Sequence, residues 1–272
     1  MGSDRRALAA LLALPVLTGC EKLAYFPVQL QEGHAQAVAA RHASVAEELR
    51  IVAAEGVTLH GWLARSPGMG PRPLVVYFGG NAEEVSWMLD HREAFSGWDL
   101  ALVNYRGYGR SGGQPSEQAL LSDAVTLYDD LVQRPDVDRA HIVAMGRSLG
   151  SGVATHLASR RPLAGVILVS PFDTMTAVAE EAFPFLPARW ILGTLYDSAK
   201  IAPGLSLPLQ MIVADRDEVI SAERSKRLYQ AWGGPKRKVA VPGAGHNDIH
   251  LHPAYWEAVS GFLAARAPTA AR

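Results

Sequence analysis

The feature that most constrains the fold is a series of short apolar runs separated by segments of helical length. The runs are rich in Val, Ile and Leu and lack polar alternation, which is typical of strands buried on both faces of a sheet. Helix-length segments between such runs indicate strand–helix units repeated around a parallel sheet. The runs cover residues 74–78, 100–105, 141–145, 166–169, 209–213 and 239–241.

The chain before these runs has a different pattern. Residues 49–64 alternate apolar and polar side chains on either side of Glu55-Gly56, which predicts an antiparallel hairpin at the edge of the sheet. The sequence therefore predicts an α/β protein with an eight-stranded, mostly parallel sheet flanked by helices. The interval 170–207 is too long for a plain crossover, so we expect a small cap over about residues 173–206. The expected helices cover residues 116–133, 149–160, 221–232 and 253–265.

The composition narrows the range of functions. The chain has 272 residues and a formal net charge of -1, with charges of both signs spread along it, so we expect no nucleic-acid partner. Cys20 is the only cysteine, which excludes a disulfide within the chain. His246, His250 and His252 are closely spaced, but no paired carboxylate or cysteine pattern accompanies them. We therefore expect neither a metal nor another cofactor.

The first twenty residues have the layout of an export signal. Arg5 and Arg6 precede an apolar run over residues 7–17 that is too short to span a bilayer. The run ends in Leu17-Thr18-Gly19-Cys20, which resembles the lipobox of bacterial lipoproteins. The resemblance implies lipidation of Cys20 and an exported protein anchored to a bacterial membrane, facing the periplasm; an ordinary cleavage site is the alternative. The expected divisions are a signal peptide, a membrane-proximal spacer and a folded domain, over residues 1–19, 20–48 and 49–268.

A G-x-S-x-G segment marks a candidate nucleophile. Gly146-Arg147-Ser148-Leu149-Gly150 directly follows one apolar run and opens an expected helix. In this context the motif lifts a serine out of the sheet on a strained turn, and small neighbours let the backbone and the substrate approach. We therefore predict that Ser148 is the nucleophile, with a helix cap as the alternative interpretation.

A serine hydroxyl needs a histidine to accept its proton and an acid to orient that histidine, in the chain order Ser, acid, His. His246 lies in a glycine-rich loop after the last expected strand. Asp217 lies beyond the carboxyl end of another strand, where open α/β sheets build their sites. Asp215 and Asp173 compete for the acid role, and a surface carboxylate or N-cap is the alternative. The competing histidines are His34, His42, His60, His91, His141, His156, His250 and His252.

Attack by a serine creates an oxyanion that needs backbone donors. One is expected from the residue after the nucleophile and one from the loop after the third strand. The sequence indicates Leu149 and Asn81 for these roles, because Asn81 follows a glycine pair at the end of an apolar run. Glu83 and Glu84 are expected in the first turn of a following helix. A tight glycine turn without a catalytic donor is the alternative.

Three ordered motifs and two further segments together resemble one family. The motifs are YFGGNA at residues 77–82, YRGYGRSGG at 105–113 and GRSLG at 146–150, and the segments are those around Asp217 and His246. Together they resemble α/β-hydrolases of the subgroup that includes serine-aminopeptidase-like hydrolases, membrane-associated acyl-protein thioesterases and lipid hydrolases. The resemblance covers about residues 48–263 and implies the α/β-hydrolase fold. Gly79 is a departure, since this subgroup usually has histidine there.

Three functions agree with these residues to different degrees. The leading hypothesis is hydrolysis of a carboxylic ester or thioester through an acyl-enzyme, with Phe183, Phe185 and Trp190 of the cap supplying an apolar acyl pocket. The second is a serine peptidase in which Glu180 and Glu181 receive a substrate amino group. The third is a non-catalytic, membrane-tethered binding protein, which should carry a broken triad. A serine in the G-x-S-x-G segment excludes the α/β-hydrolases that use an aspartate nucleophile.

Overall fold

A computed structural model describes residues 24–185 and 195–268 of the chain. Its strands are β1 Ala46–Val52, β2 Thr58–Ala64, β3 Arg72–Phe78, β4 Asp99–Val103, β5 Val137–Arg147, β6 Gly165–Val169, β7 Leu209–Ala214 and β8 Lys236–Val241. They form one eight-stranded sheet in the order β1-β2-β4-β3-β5-β6-β7-β8. β2 pairs antiparallel with β1 and β4, and every other pair is parallel. The predicted class and the edge hairpin are confirmed.

The helices alternate with the parallel strands. They are α1 Glu32–His42, α2 Glu117–Leu131, α3 Leu149–Arg160, α4 Met175–Ala182, α5 Ser198–Ile201, α6 Ala222–Ala231 and α7 Pro253–Ala264. Segments of 3₁₀ helix cover Ala54–Gly56, Val85–Phe95, Ala202–Gly204 and Ile249–Leu251. Side-chain caps fix two starts: Ser116 accepts from the N–H of Ala119 before α2, and Thr174 accepts from the N–H of Ala177 before α4.

The core consists of two layers, one on each face of the sheet. Along β3, Leu74, Val76 and Phe78 enter the layer that also contains α2 and α3 side chains. Val75 and Tyr77 enter the opposite layer, which α7 and the Val85–Phe95 segment cover. This alternation follows from the two-residue period of a strand, and covering both faces explains why the runs lack polar residues. Each fully buried aliphatic side chain contributes about 1.5–3 kcal/mol.

The segment expected to be a plain spacer, residues 20–48, is more structured than the sequence indicated. Its described part contains α1 and the beginning of β1. Tyr25, Leu30 and Ala35 are buried against the domain. Residues 24–48 therefore pack on the domain rather than only leading into it. The sequence did not predict this helix because α1 mixes alanine, glutamine and histidine without a clean apolar stripe.

Several expectations fall on other parts of the chain. Residues 1–19, Cys20 and Trp190 lie outside the described residues. The described parts of the expected cap contain α4 and α5. Among the described residues, none of the helices has the length and apolar character needed to cross a membrane.

Candidate active site

Ser148 stands on a sharp turn between β5 and α3. Its backbone has φ 51° and ψ -117°, a conformation that residues other than glycine rarely adopt. A Cβ added at Gly146 would lie 2.1 Å from the carbonyl oxygen of Gly150, and one added at Gly150 would lie 2.1 Å from that of Phe78. Both motif glycines are therefore sterically required. The turn is fixed to the neighbouring strand by the Ser148 N–H, which donates to the Val169 carbonyl at 2.9 Å.

The structure brings the three predicted residues together. The Ser148 Oγ lies 3.0 Å from Nε2 of His246, and both carboxylate oxygens of Asp217 lie 2.9 Å from its Nδ1. The Asp217 carboxylate also accepts from the N–H groups of Val219 at 3.0 Å and Ile220 at 2.8 Å. This arrangement places the imidazole proton on Nδ1 and leaves Nε2 to accept from the serine hydroxyl.

The Asp217 carboxyl is held in its charged form. Burial raises the pKa of this carboxyl, but the hydrogen bonds and electrostatic attraction from His246 and the N–H of Ile220 together outweigh burial. The pKa of Asp217 is therefore below its ordinary value of 3.8. An ionised aspartate at this position can orient the histidine and stabilise an imidazolium.

The competing residues lie in other environments. Asp173 is buried and forms an ion pair with Arg224 at 3.0 Å, while Asp215 is exposed at the end of β7. His250 packs against the Trp87 ring with 4.9 Å between ring centroids. Across residues 24–185 and 195–268, the structure shows no group of three or more side chains suited to hold a metal.

The loop after β3 passes directly beside the nucleophile. A Cβ added at Gly80 would lie 3.6 Å from the Cβ of Ser148 and 2.9 Å from Nη1 of Arg147. Its own N–H already donates to Oε2 of Glu83 at 2.7 Å. Since the Gly80 N–H is already hydrogen-bonded, the N–H of Asn81, the next along the loop, is the candidate donor to an oxyanion. Leu149, the other predicted donor, is the first residue of α3.

The side chain of Asn81 has a structural function that sequence reasoning missed. Its Oδ1 accepts from the N–H of Phe26 at 2.9 Å and from the hydroxyl of Tyr108 at 2.6 Å. Its Nδ2 donates to the carbonyl of Ala24 at 2.7 Å. These bonds hold the loop after β3 against the N-terminal segment of residues 24–30. We call that segment the N-terminal strap.

A buried ion pair also lies behind the site. Glu83 accepts from Nη1 of Arg147 at 2.8 Å, from the Tyr77 hydroxyl at 2.6 Å and from Nε1 of Trp87 at 3.0 Å. Nη2 of Arg147 donates to the carbonyl of His246 at 3.0 Å. One arginine therefore connects the loop after β3, the nucleophile turn and the histidine loop. We call Tyr77, Glu83, Trp87 and Arg147 the elbow cluster.

The expectation for Glu83 and Glu84 at a helix N-terminus was only half correct. Glu84 precedes the 3₁₀ segment Val85–Phe95 and accepts from the N–H of Ser86 at 3.1 Å. Glu83 turns inward instead, because Arg147 offers it a buried partner. The contact follows from the observed order of the strands, since β3 and β5 are neighbours and their carboxyl ends bring the two residues together.

Comparison with known proteins identifies the family. The model of the family Hydrolase_4, described as serine aminopeptidase S33, matches residues 70–206. The chain belongs to this family of α/β-hydrolases. An uncharacterized protein of Mycobacterium tuberculosis (strain CDC 1551 / Oshkosh) is 36% identical over 251 residues, which cover 90% of this chain and 88% of that relative. Protein bem46 of Schizosaccharomyces pombe is 27% identical over 80% of this chain and 76% of its own length.

Solved structures show the same fold. The Pyrococcus furiosus esterase Pf2001 has a TM-score of 0.66 at 18% identity, covering 85% of this α/β-hydrolase and 96% of that chain. An acetyl xylan esterase from Paenibacillus sp. R4 has a TM-score of 0.65 at 17% identity, covering 90% and 98%. At these identities the likeness concerns the fold.

Proposed function

We propose that this α/β-hydrolase cleaves a carboxylic ester or thioester through an acyl-enzyme on Ser148. The observation that carries the proposal is the 3.0 Å contact between Ser148 Oγ and His246 Nε2, with Asp217 on the opposite ring nitrogen. An activated nucleophile, its base and an orienting acid are the set that acyl transfer needs. The hydrogen-bonding distances among these three side chains support the enzyme over a non-catalytic binding protein, for which a broken triad is expected.

The proposed reaction has two halves. Ser148 Oγ attacks the carbonyl carbon while His246 Nε2 takes the hydroxyl proton, and Asp217 stabilises the resulting imidazolium. The N–H groups of Leu149 and Asn81 stabilise the oxyanion. His246 then gives the proton to the departing alcohol or thiol, which leaves an acyl-serine. A water molecule, deprotonated by the same imidazole, releases the acid and restores the serine.

Two observations favour an ester or thioester over a peptide. The Glu181 carboxylate, one candidate for receiving a substrate amino group, forms an ion pair with Arg224 at 2.9 Å. The two similar solved structures are described as esterases. The family description names an aminopeptidase, so peptide hydrolysis is the second candidate.

The expected acyl pocket needs a correction. Phe183 is 63% exposed and Phe185 is 100% exposed, so neither lines an enclosed pocket. An aromatic side chain that faces solvent has no opposing wall to enclose an acyl chain. The acyl group of the substrate must therefore be held by other residues or by a surface that these aromatic residues contact.

Attachment to a membrane is the remaining part of the proposal. Lipidation of Cys20 would leave an exported enzyme anchored to a bacterial membrane and facing the periplasm. The lipobox-like Leu17-Thr18-Gly19-Cys20 supports it, as does the isolation of Cys20 as the only cysteine. The proposed reaction needs no metal or organic cofactor.

The test is hydrolysis of p-nitrophenyl esters of graded chain length by the full chain carrying Cys20→Ser. We expect activity that Ser148→Ala lowers by about 10⁴-fold or more, whereas Ser159→Ala, an exposed serine on the same helix, leaves it unchanged. A fluorophosphonate probe should label the unaltered protein and not the Ser148→Ala variant. Cleavage of leucine p-nitroanilide in preference to every ester would favour the peptidase. Absence of both cleavage and labelling would refute the enzyme proposal.

A further inference from the structure

Exposed apolar side chains are concentrated at one edge of the sheet. Among the residues that the structure describes, the large exposed ones are Phe26, Val28, Val52, Met69, Phe183, Phe185, Val219 and Leu251. An isolated exposed apolar residue is ordinary, but a set gathered on one face indicates an interaction surface.

Four of them lie on connections that leave the carboxyl ends of parallel strands. Val219 follows β7 and Leu251 follows β8. Phe183 and Phe185 follow α4, the first helix after β6. Ser148 is at the carboxyl end of β5, at this same edge. These side chains therefore surround the end of the sheet where the proposed chemistry takes place.

Three more of these exposed residues are placed at the same edge by hydrogen bonds or by strand pairing. The N–H of Phe26 donates to Asn81, in the loop after β3, at 2.9 Å. The carbonyl of Val28 accepts from Gly109, in the loop after β4, at 2.7 Å. Val52 ends β1 beside the beginning of β2, which lies at the carboxyl end of β4 because β2 and β4 are antiparallel. Seven of the eight thus lie at the edge that holds Ser148.

Met69 is the exception and provides a comparison. It lies between β2 and β3, at the opposite edge of the sheet, and is fully exposed. Leu251, at the carboxyl edge, is 71% exposed. Both are apolar side chains of similar size, so they form a matched pair for tests of the surface.

The N-terminal strap provides a second, independent observation. Ala24 is bonded to the loop after β3 through its carbonyl. Cys20 precedes Ala24 by four residues. Four extended residues span about 14 Å at most, so a lipid on Cys20 could not reach a membrane far from the carboxyl edge. With the lipid proposed on Cys20, the tether and the apolar side chains would lie at the same face.

The charges at this face select among lipids. The exposed charged side chains of the loops after β7 and β8 include Asp215, Arg216, Glu218 and Asp248. With three acids and one base, they do not favour anionic headgroups. Binding through these two loops must therefore come from apolar insertion, which zwitterionic phosphatidylcholine supports as well as an anionic lipid does.

We propose that the carboxyl edge of the sheet docks on a lipid bilayer, so that the mouth of the site at Ser148 faces the acyl chains. In this orientation the exposed aromatic residues enter the lipid, and the bilayer itself encloses an acyl group bound at the site. The consequence for substrate rests on the proposed function, because it assumes an acyl hydrolase. Docking itself does not require catalysis and can be measured separately.

The test uses the full chain with Cys20→Ser, so that no lipid anchor contributes, and flotation with phosphatidylcholine vesicles. We expect the protein to float with the vesicles and Leu251→Ser to weaken binding by about tenfold, as expected for loss of a buried leucine side chain. Met69→Ser should bind as the parent does. Equal weakening by both substitutions, or flotation only with phosphatidylglycerol, would overturn the proposal, as would self-association through Leu251 without vesicle binding.

A second measurement covers the case in which docking is too weak without the anchor. The lipidated protein on vesicles carries Leu251→Cys or Met69→Cys, and a membrane-impermeant maleimide labels it. Vesicles should slow labelling at position 251 at least tenfold and leave position 69 unchanged. Equal labelling at the two positions, together with no flotation of the Cys20→Ser form, overturns the docking face. Hydrolysis of p-nitrophenyl acetate in the same samples, and vesicle binding by Ser148→Ala, separate failure of docking from failure of catalysis.

Discussion

Two buried carboxylates lie at opposite edges of the same sheet, and both are bonded to arginine. Asp99, at the beginning of β4, is fully buried and accepts from Arg65 and Arg72 at 2.9 Å each. Glu83, after β3, is nearly buried and accepts from Arg147 at 2.8 Å. The chemistry of the two pairs is almost the same.

What each pair connects is different. Asp99 connects the end of β2, the beginning of β3 and the beginning of β4, all at the amino edge of the parallel strands. Glu83 and Arg147 connect the loop after β3, the nucleophile turn and the carbonyl of His246. The same interaction therefore closes the sheet at one edge and positions catalytic groups at the other. The edge on which a pair lies therefore decides whether its loss lowers activity in addition to stability.

The largest expected effect is on stability, from Asp99→Ala. Removing the shared partner of a buried ion pair costs about 3–5 kcal/mol. Arg65 keeps its ion pairs with Glu47 and Asp136, so we expect a loss at the lower end of that range. Urea unfolding should show this loss in the free energy of unfolding. The folded fraction should keep its kcat for a p-nitrophenyl ester, because no group near Ser148 is disturbed.

Asp136→Ala is the control, since the Asp136 side chain is 35% exposed although it contacts Arg65 at 2.6 Å. A half-exposed pair contributes about 1 kcal/mol or less. An Asp99→Ala variant with normal stability, or with a kcat reduced as strongly as its stability, would remove the distinction between the two edges.

The next effect is on activity, from Arg147→Met. The loop after β3 and the His246 carbonyl both lose a donor, so the proposed oxyanion donors and base are less well positioned. We expect kcat to fall by about 10–100-fold with KM changed much less, as for an interaction that acts mainly in the transition state. Steady-state kinetics on one soluble ester measures both parameters.

The double variant Arg147→Met with Glu83→Gln distinguishes positioning from stability. It removes the unpaired buried charge, so the melting temperature should recover, whereas the contact with the His246 carbonyl remains absent and kcat should stay low. Recovery of kcat together with stability would show that the pair acts only on folding. Arg161→Met, which removes an arginine from a more exposed pair with Asp129, should leave kcat unchanged.

Much of this architecture could be predicted because its signals are local. The strands follow from uninterrupted apolar runs, and Ser148 follows from a motif in a strand–helix context. His246 and Asp217 follow from chain order and from their positions after strands, and the structure places all three within hydrogen-bonding distance. Each of these predictions needed only a short window of sequence together with the rules of parallel sheets.

The remaining features could not be predicted because they depend on contacts between distant segments. Asn81 contacts Ala24, which lies 57 residues away, and Arg147 contacts Glu83 across 64 residues. Neither pair leaves a periodic trace in the sequence. The 3₁₀ segment Val85–Phe95 was expected as an ordinary helix, since its residue types are compatible with both forms.

A third buried titratable side chain gives the smallest predicted effect and sharpens the comparison. His60 in β2 has a fully buried side chain, and its Nε2 lies 2.8 Å from Oε1 of Glu48. Burial lowers the pKa of His60, and the hydrogen bond and charge of Glu48 only partly oppose this. Asp99 and Glu83 keep their buried charge because each is paired with arginine. His60 instead stays neutral, so its effect on stability should depend on pH.

The sign of that dependence follows from linkage. The unfolded chain protonates His60 near its ordinary pKa of 6.5, whereas the folded protein does so only at lower pH. The stability associated with the neutral imidazole is therefore present above about pH 6.5 and is lost as the pH falls through the lowered folded pKa.

His60→Gln, whose amide can still donate to Glu48, should lose less stability between pH 8 and pH 5 than the parent does. Melting temperatures at the two pH values measure this, and the pH 8 difference isolates the packing change, because both side chains are neutral there. A steeper loss of stability in His60→Gln than in the parent would mean that the buried imidazole is charged and paired with Glu48, as Asp99 and Glu83 are paired with arginine.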